Sequence, residues 1–135
     1  MIKMKDGNIE YEWYGDEILI KGKRFISSSL FEIGLAVESQ AKSLAPIDSG
    51  MLKNSISTQS KTEGSNTGEG IIKKPVDENI VLVGTAVEYA PYQEYGTKTM
   101  DAQPFLRPAL DMVQGKAVTL IQKNGKFEFK EYMKP

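Results

Sequence analysis

The chain contains no cysteine and no histidine. The first absence excludes a disulfide framework and any thiolate metal site. The second removes the commonest general base and the commonest metal-binding imidazole. Charge of one sign is also missing: 17 Lys and Arg stand against 18 Asp and Glu, a formal net charge of -1. No global field therefore draws the chain onto nucleic acid or an anionic membrane, although a local basic patch stays open. No apolar run approaches the ~20 residues of a membrane span. Residues 1–20 are interrupted by charge every few positions, unlike a secretory signal. These absences lead us to expect a soluble protein made inside the cell, without a membrane partner, cofactor or metal.

At 135 residues the chain has the size of one domain able to bury about two-thirds of its unfolded surface. In residues 1–20, Ile9, Tyr11 and Trp13 share one parity and Glu10 and Glu12 the other, the alternation of a half-buried strand. Gly15-Asp16 reads as a turn. Ile26, Leu30, Ile33, Val37, Ala41 and Leu44 then recur at steps of three and four, predicting a helix over residues 25–45. Ser27 to Ser29 offer its N-cap, with Glu32 completing a capping box after Ser29. Pro46 stops it by disfavouring helical geometry at Ala45.

Asp48-Ser49-Gly50 predicts a corner that caps a short helix through Met51, Leu52 and Ser55. Residues 57–79, which include SKTEGSNTGEG, are rich in Gly, Ser, Thr and charge, and read as a flexible excursion between strands at 56–60 and 80–84. The run at 80–83 is continuously apolar, as in a strand covered on both faces. Glu94-Tyr95-Gly96-Thr97 reads as a turn. Helical spacing returns at Phe105, Leu106, Ala109, Leu110 and Val113, with the regular helix starting near Pro108 and open to interruption at Gly115. Asn124-Gly125 then signals a hairpin turn into a last alternating strand at 126–130.

Catalytic motifs are weak. Ser39-Gln40-Ala41-Lys42 fits S-x-x-K without its companion elements. Gly96-Thr97-Lys98-Thr99 lacks the glycine before lysine that a phosphate loop needs. Glu88, Glu94 and Asp101 have no spacing that fixes a metal. We therefore expect no enzyme activity. Tyr89, Tyr92 and Tyr95 recur every third residue with no basic stripe between them, which favours protein contact over base stacking.

Two blocks, AKSLAPIDSGMLKNSI at 41–56 and VGTAVEYAPYQEYGT with AQPFLRPAL at 83–110, resemble the tail-component family of long-tailed bacteriophages, the gene-product-ten-like neck proteins. The matching words are Tyr89-Ala90-Pro91, Glu94-Tyr95-Gly96-Thr97 and Pro104-Phe105-Leu106-Arg107-Pro108-Ala109. The resemblance implies an α+β fold, a twisted, mainly antiparallel sheet packed against one long helix and a shorter C-terminal helix. It further implies a structural protein of the head–tail junction, acting in neck assembly or tail completion, with tail termination as the alternative within the virion. A non-catalytic binding module outside the virion is the other class left open. Implied partners are further copies of the chain in a ring and other tail and head-connector proteins, with transient contact to phage DNA. The implied locations are the virion and, during assembly, the host cytoplasm. On this reading Tyr89, Tyr92, Glu94, Tyr95 and Arg107 are contact candidates. Pro91, Gly96, Thr97, Pro104, Phe105 and Leu106 are candidates for anchoring the loop that carries them.

Overall fold

The computed structural model describes residues 2–7, 9–46 and 50–128. Its first elements are two antiparallel strands, β1 (Ile2–Asp6) and β2 (Ile9–Trp13), in the register Ile2 with Trp13 and Met4 with Tyr11. Tyr14 alone separates β2 from helix α1 (Gly15–Leu44). Helix α1 begins ten residues earlier than the apolar stripe predicts. Asp16 and Glu17 occupy its first turn, where carboxylates favour the helix N-terminus, so Gly15-Asp16 starts a helix instead of making a turn. Ser27 to Ser29 are consequently interior residues and Ser29 is buried, not a cap. Glu32 accepts a 2.8 Å hydrogen bond from the side-chain amide of Asn124.

The C-terminal end of α1 is as expected. Ala45 is extended, with ψ 140°, ahead of Pro46, and its N–H closes the helix on the carbonyl of Ala41. Residues 47–49, which carry most of the predicted corner, lie outside the described residues. Gly50, at φ +69°, precedes the short helix α2 (Met51–Ser55). Next come strands β3 (Ser57–Gln59) and β4 (Leu82–Gly84), antiparallel with Thr58 opposite Val83. The chain ends its described course in two helices, α3 (Ala90–Tyr95) and α4 (Leu106–Glu128).

Helix α4 runs antiparallel to α1. Phe105 and Ala109, at its start, join Val37 and Ala41 in the core, while Asn124 lies beside Ser29 and Glu32 much earlier in α1. The core holds Val37, Ala41, Ala45, Leu52, Ile56, Ala90, Phe105, Ala109 and Val113. Ile26 and Leu44, at the ends of the predicted stripe, are exposed, although their neighbours Ser29 and Ala45 are buried. Neither Gly115 nor Asn124-Gly125 interrupts α4. The predicted last strand is helical through residue 128, with its remainder outside the described residues. Asn124 is bonded to Ser29 and Glu32 of α1, and a Cβ at Gly125 would stand at ordinary contact distance, 3.4 Å, from the Phe25 ring.

The fold is α+β, but its strands form two separate two-stranded ladders instead of one sheet. The reason is the length of α1. The first ladder is tied to its N-terminus through Tyr14, whereas β3 and β4 pack further along it, at Gly34. An ideal Cβ at Gly34 would lie 2.5 Å from Thr58 Cγ2 and 2.8 Å from Val81 Cγ1, so the helix approaches the ladder at a distance only glycine permits.

Strand β4 is not covered on both faces, since Leu82 is 41% exposed. Strand β3 by contrast is fully buried, despite its polar sequence. Each polar group there is matched, as burial requires. Thr58 Oγ1 donates to Glu38 Oε2 at 2.7 Å, and Gln59 Nε2 donates to the carbonyl of Asn66 at 3.0 Å. Glu38 in turn pairs with Lys42 at 2.8 Å. Burial pushes the Glu38 carboxyl upward, but bonds from Lys42, Ser65 and Thr58, with the Lys42 charge, leave it below its ordinary value. The excursion after β3 is tethered at several points. Asn66 Nδ2 donates to the carbonyl of Asn54, and the N–H of Ala86 donates to the carbonyl of Gly70.

Candidate functional site

The segment between β4 and α4 is built around helix α3. Pro91 sits in its first turn, where the missing amide donor costs nothing. Glu94 and Tyr95 are therefore helical, and the predicted turn begins only at Gly96. Gly96 has φ +74°, and a Cβ there would stand 2.7 Å from the amide nitrogen of Ala102. Glycine is required on both counts. Thr97 closes the loop that follows: its N–H donates to the carbonyl of Met100 at 2.8 Å, and its hydroxyl accepts from the Met100 amide at 3.1 Å. The amide of Gln103 then donates to the carbonyl of Gln93, returning the chain to α3.

Glu94 does more than the sequence suggested. Its Oε2 accepts from the backbone amides of Phe105 and Leu106 at 2.8 and 3.0 Å, and its Oε1 accepts from Arg107 at 3.0 Å. These are unsatisfied donors at the start of α4, so a carboxylate on α3 caps the next helix and neutralises its positive end. Partial burial raises the Glu94 carboxyl, but the three amide bonds and the Arg107 charge outweigh it and leave the group below its ordinary 4.5. Within the chain, this side chain is a helix cap, a role the sequence reading did not give it. No local word announces the role, because the cap lies 11 residues before the first amide it binds.

The anchoring candidates separate by burial. Phe105 is fully buried and Leu106 packs against the core, while Pro91 and Pro104 are exposed and fix only backbone direction. Tyr89 also packs on the core. Tyr92 and Tyr95 are 57% and 79% exposed, and Arg107, on the α4 side of the capped junction, is exposed as well. Tyr95 and Arg107 stand at the edge of an open groove of about 780 Å³. Leu30 and Ile33 of α1, Val83 of β4, and Leu106 and Leu110 of α4 supply its apolar lining. Sequence reasoning missed this groove, because its walls come from three segments far apart in the chain. Among the described residues no cluster of acidic side chains is arranged to hold a metal, and no helix is long and apolar enough to cross a membrane.

The capping of α4 gives a direct test. Glu94→Gln removes the charge and one acceptor oxygen, and is expected to cost about 1–2 kcal/mol of stability at neutral pH. The folded carboxyl titrates below its unfolded value, so its contribution is present above pH 4.5 and lost as pH falls through the depressed folded value. Urea unfolding of both proteins at pH 7 and at about pH 3 checks this. The difference between them should shrink in acid, and an undiminished difference would exclude the capping account.

Exposed tyrosines on a braced short helix, beside an apolar groove, define an α+β protein that presents a shaped surface. The chain belongs to the phage family described as "Bacteriophage HK97-gp10, putative tail-component", whose model matches residues 12–96. The matched span takes in AKSLAPIDSGMLKNSI and YAPYQEYG and stops before PFLRPAL. No curated protein and no solved structure matches the chain.

Proposed function

We propose that this tail-component protein works at the head–tail junction, as a neck or tail-completion protein that joins tail to head in a ring of identical copies and catalyses no reaction. The observation that carries the reading beyond the family is the exposure of Tyr92 and Tyr95 on a helix that Glu94 locks to α4. Large aromatic groups on a rigid support are what protein interfaces use as anchors, because little side-chain entropy is lost on docking. Neighbouring copies, tail proteins and head-connector proteins are the partners, and contact with the genome end is brief. The protein resides in the finished virion.

Replacing Tyr92 and Tyr95 together by Ala should lower the yield of infectious particles at least about tenfold when the variant complements a deletion, while stability changes by no more than about 0.5 kcal/mol per site. A variant that unfolds would show the tyrosines to be packing residues. The functional reading itself is tested by deleting the gene and imaging the lysate. Separate DNA-filled heads and tails of normal length support joining, overlong tails indicate termination, and intact infectious particles exclude both.

A further inference from the structure

We propose that the turn carrying Val76 in one copy of this chain inserts into the groove between α1, β4 and α4 of the next, with Val76 lying against Leu110 and Asp77 meeting Arg107. This rests on the proposed assembly of identical copies and names the surfaces that would carry it.

Val76 is 90% exposed, more than any other large apolar side chain among the described residues. A single exposed valine is ordinary on a protein surface. This one stands on a built support. Pro75 before it fixes φ near about -65°. Asp77 after it uses Oδ1 to accept from the Asn79 amide at 2.7 Å, and its carbonyl accepts from the Ile80 amide at 3.4 Å. Lys61 Nζ ties the next residue, Glu78, at 3.3 Å. The roots of the loop are fixed as well, one where the Ala86 amide donates to the carbonyl of Gly70 at 2.7 Å and the other at β4. A knob ordered in advance loses little entropy on docking. The same bonds keep Val76 out of its own groove, because residues 77–80, which join it to Val81 in the groove wall, are folded back onto Asp77.

The groove matches the knob in shape and in charge. Leu30, Ile33, Val81, Val83 and Leu110 make its walls apolar, and Leu110 is still 52% exposed. Its volume of about 780 Å³ lies in the range of sites that enclose a whole small molecule, so Pro75 enters with Val76. Two charged residues belong to the lining, Glu94 and Arg107. The Glu94 carboxylate is taken up by three backbone amides, which leaves the exposed Arg107 as the charge an incoming group meets. Asp77 is its complement. Neither Asp77 nor Arg107 forms an ion pair among the described residues, whereas Glu78 is already paired with Lys61. Lys73 and Lys74, on the other side of Pro75, are exposed and stay outside the groove.

The spacing agrees. Arg107 and Leu110 are three residues apart in α4 and so share a face, with about 5–6 Å between their Cβ atoms. Val76 and Asp77 are adjacent, with about 3.8 Å between their Cα atoms, so one turn can meet both. One copy offers the knob and the next offers the groove. Such a contact is heterologous and closes into a ring when its rotation permits.

The test uses full-length variants, Val76→Asp to charge the knob and Leu110→Glu to charge the groove, at side chains exposed enough for the monomer to keep its fold. Sedimentation should show the unaltered chain associating, and each variant alone associating at least about tenfold more weakly. Mixed together they should form a one-to-one pair, since each retains the surface the other has lost. Variants that associate like the unaltered chain, a mixture that stays monomeric, or an unaltered chain that is monomeric at every concentration would each overturn the proposal. The lack of native cysteine gives a second measurement that introduces no charge. Val76→Cys and Leu110→Cys variants, mixed and oxidised, should form the mixed disulfide at least about tenfold faster than either pairs with itself, and equal rates would overturn the contact. Asp77→Asn keeps the acceptor for Asn79 and removes only the charge. It should weaken association about two- to fivefold in an otherwise unaltered chain and have no effect beside Arg107→Gln; additive losses would overturn that pairing. The neck reading depends on particle morphology in the deletion, so failure of the knob contact would leave it standing.

Discussion

Phe105→Ala is expected to remove about 3–5 kcal/mol of stability. Phe105 has no exposed surface and heads the fully buried side chains by volume. It joins α4 to the core of Val37, Ala41 and Leu52, immediately after the loop that returns to α3. Truncation loses the transfer free energy of the ring and leaves a void that neighbours on three elements cannot close by small movements. A domain of this size is held by about 5–15 kcal/mol in all, so the variant should be at the edge of folding. Urea unfolding followed by circular dichroism checks this, and a loss below about 1 kcal/mol would mean that Phe105 is not the anchor of the segment.

The second large effect lies at Gly34, where α1 meets the β3–β4 ladder. Gly34→Ala gains about 1 kcal/mol of helix propensity. Its new methyl group would nevertheless meet Thr58 and Val81 at 2.5 and 2.8 Å, well inside contact distance. Thr58 is not free to retreat, because its hydroxyl is bonded to Glu38 and its backbone to Ser65. Overpacking of this kind costs about 1–3 kcal/mol, and Gly34→Val should exceed the alanine variant. Gly22 in the same helix is the control. Nothing lies within 4 Å of its hypothetical Cβ, so Gly22→Ala should stabilise the protein by up to about 1 kcal/mol. Opposite signs at the two glycines, read from thermal unfolding, would establish that the close approach and not helix propensity decides.

These two positions also show where the sequence is informative. Periodicity found the part of α1 that packs, because Val37 and Ala41 face the core at helical spacing, and Pro46 marked its end. Turn composition found the short helix α2 and the approximate positions of β3 and β4. The start of α1 was hidden, because Gly15-Asp16 and the serines at 27–29 carry turn and cap chemistry that a long helix overrides. Helix α3 was hidden by its own punctuation: Pro91 and Gly96 read as a loop, yet proline starts a helix and glycine ends one. Asn124-Gly125 reads as a hairpin only until Asn124 is seen bonded to Glu32 across the helix pair.

The site divides in the same way. Tyr92 and Tyr95 were legible from residue type and spacing, and both emerge on the surface. Glu94 was legible as a notable carboxylate, but its work of capping α4 depends on a fold that brings α3 to Phe105. The groove depends on three distant segments and on the narrowness of Gly34, neither of which leaves a local pattern. A single sheet was expected from the family resemblance, and the strand patterns themselves do not say which strands pair. Whether two ladders join is decided by what α1 places between them.

Labelling the protein in intact particles and locating the label by electron microscopy tests the central claim most directly. The claim predicts label confined to the junction between head and tail. Label along the tail shaft or at its distal tip, or finished particles that carry none, would contradict it.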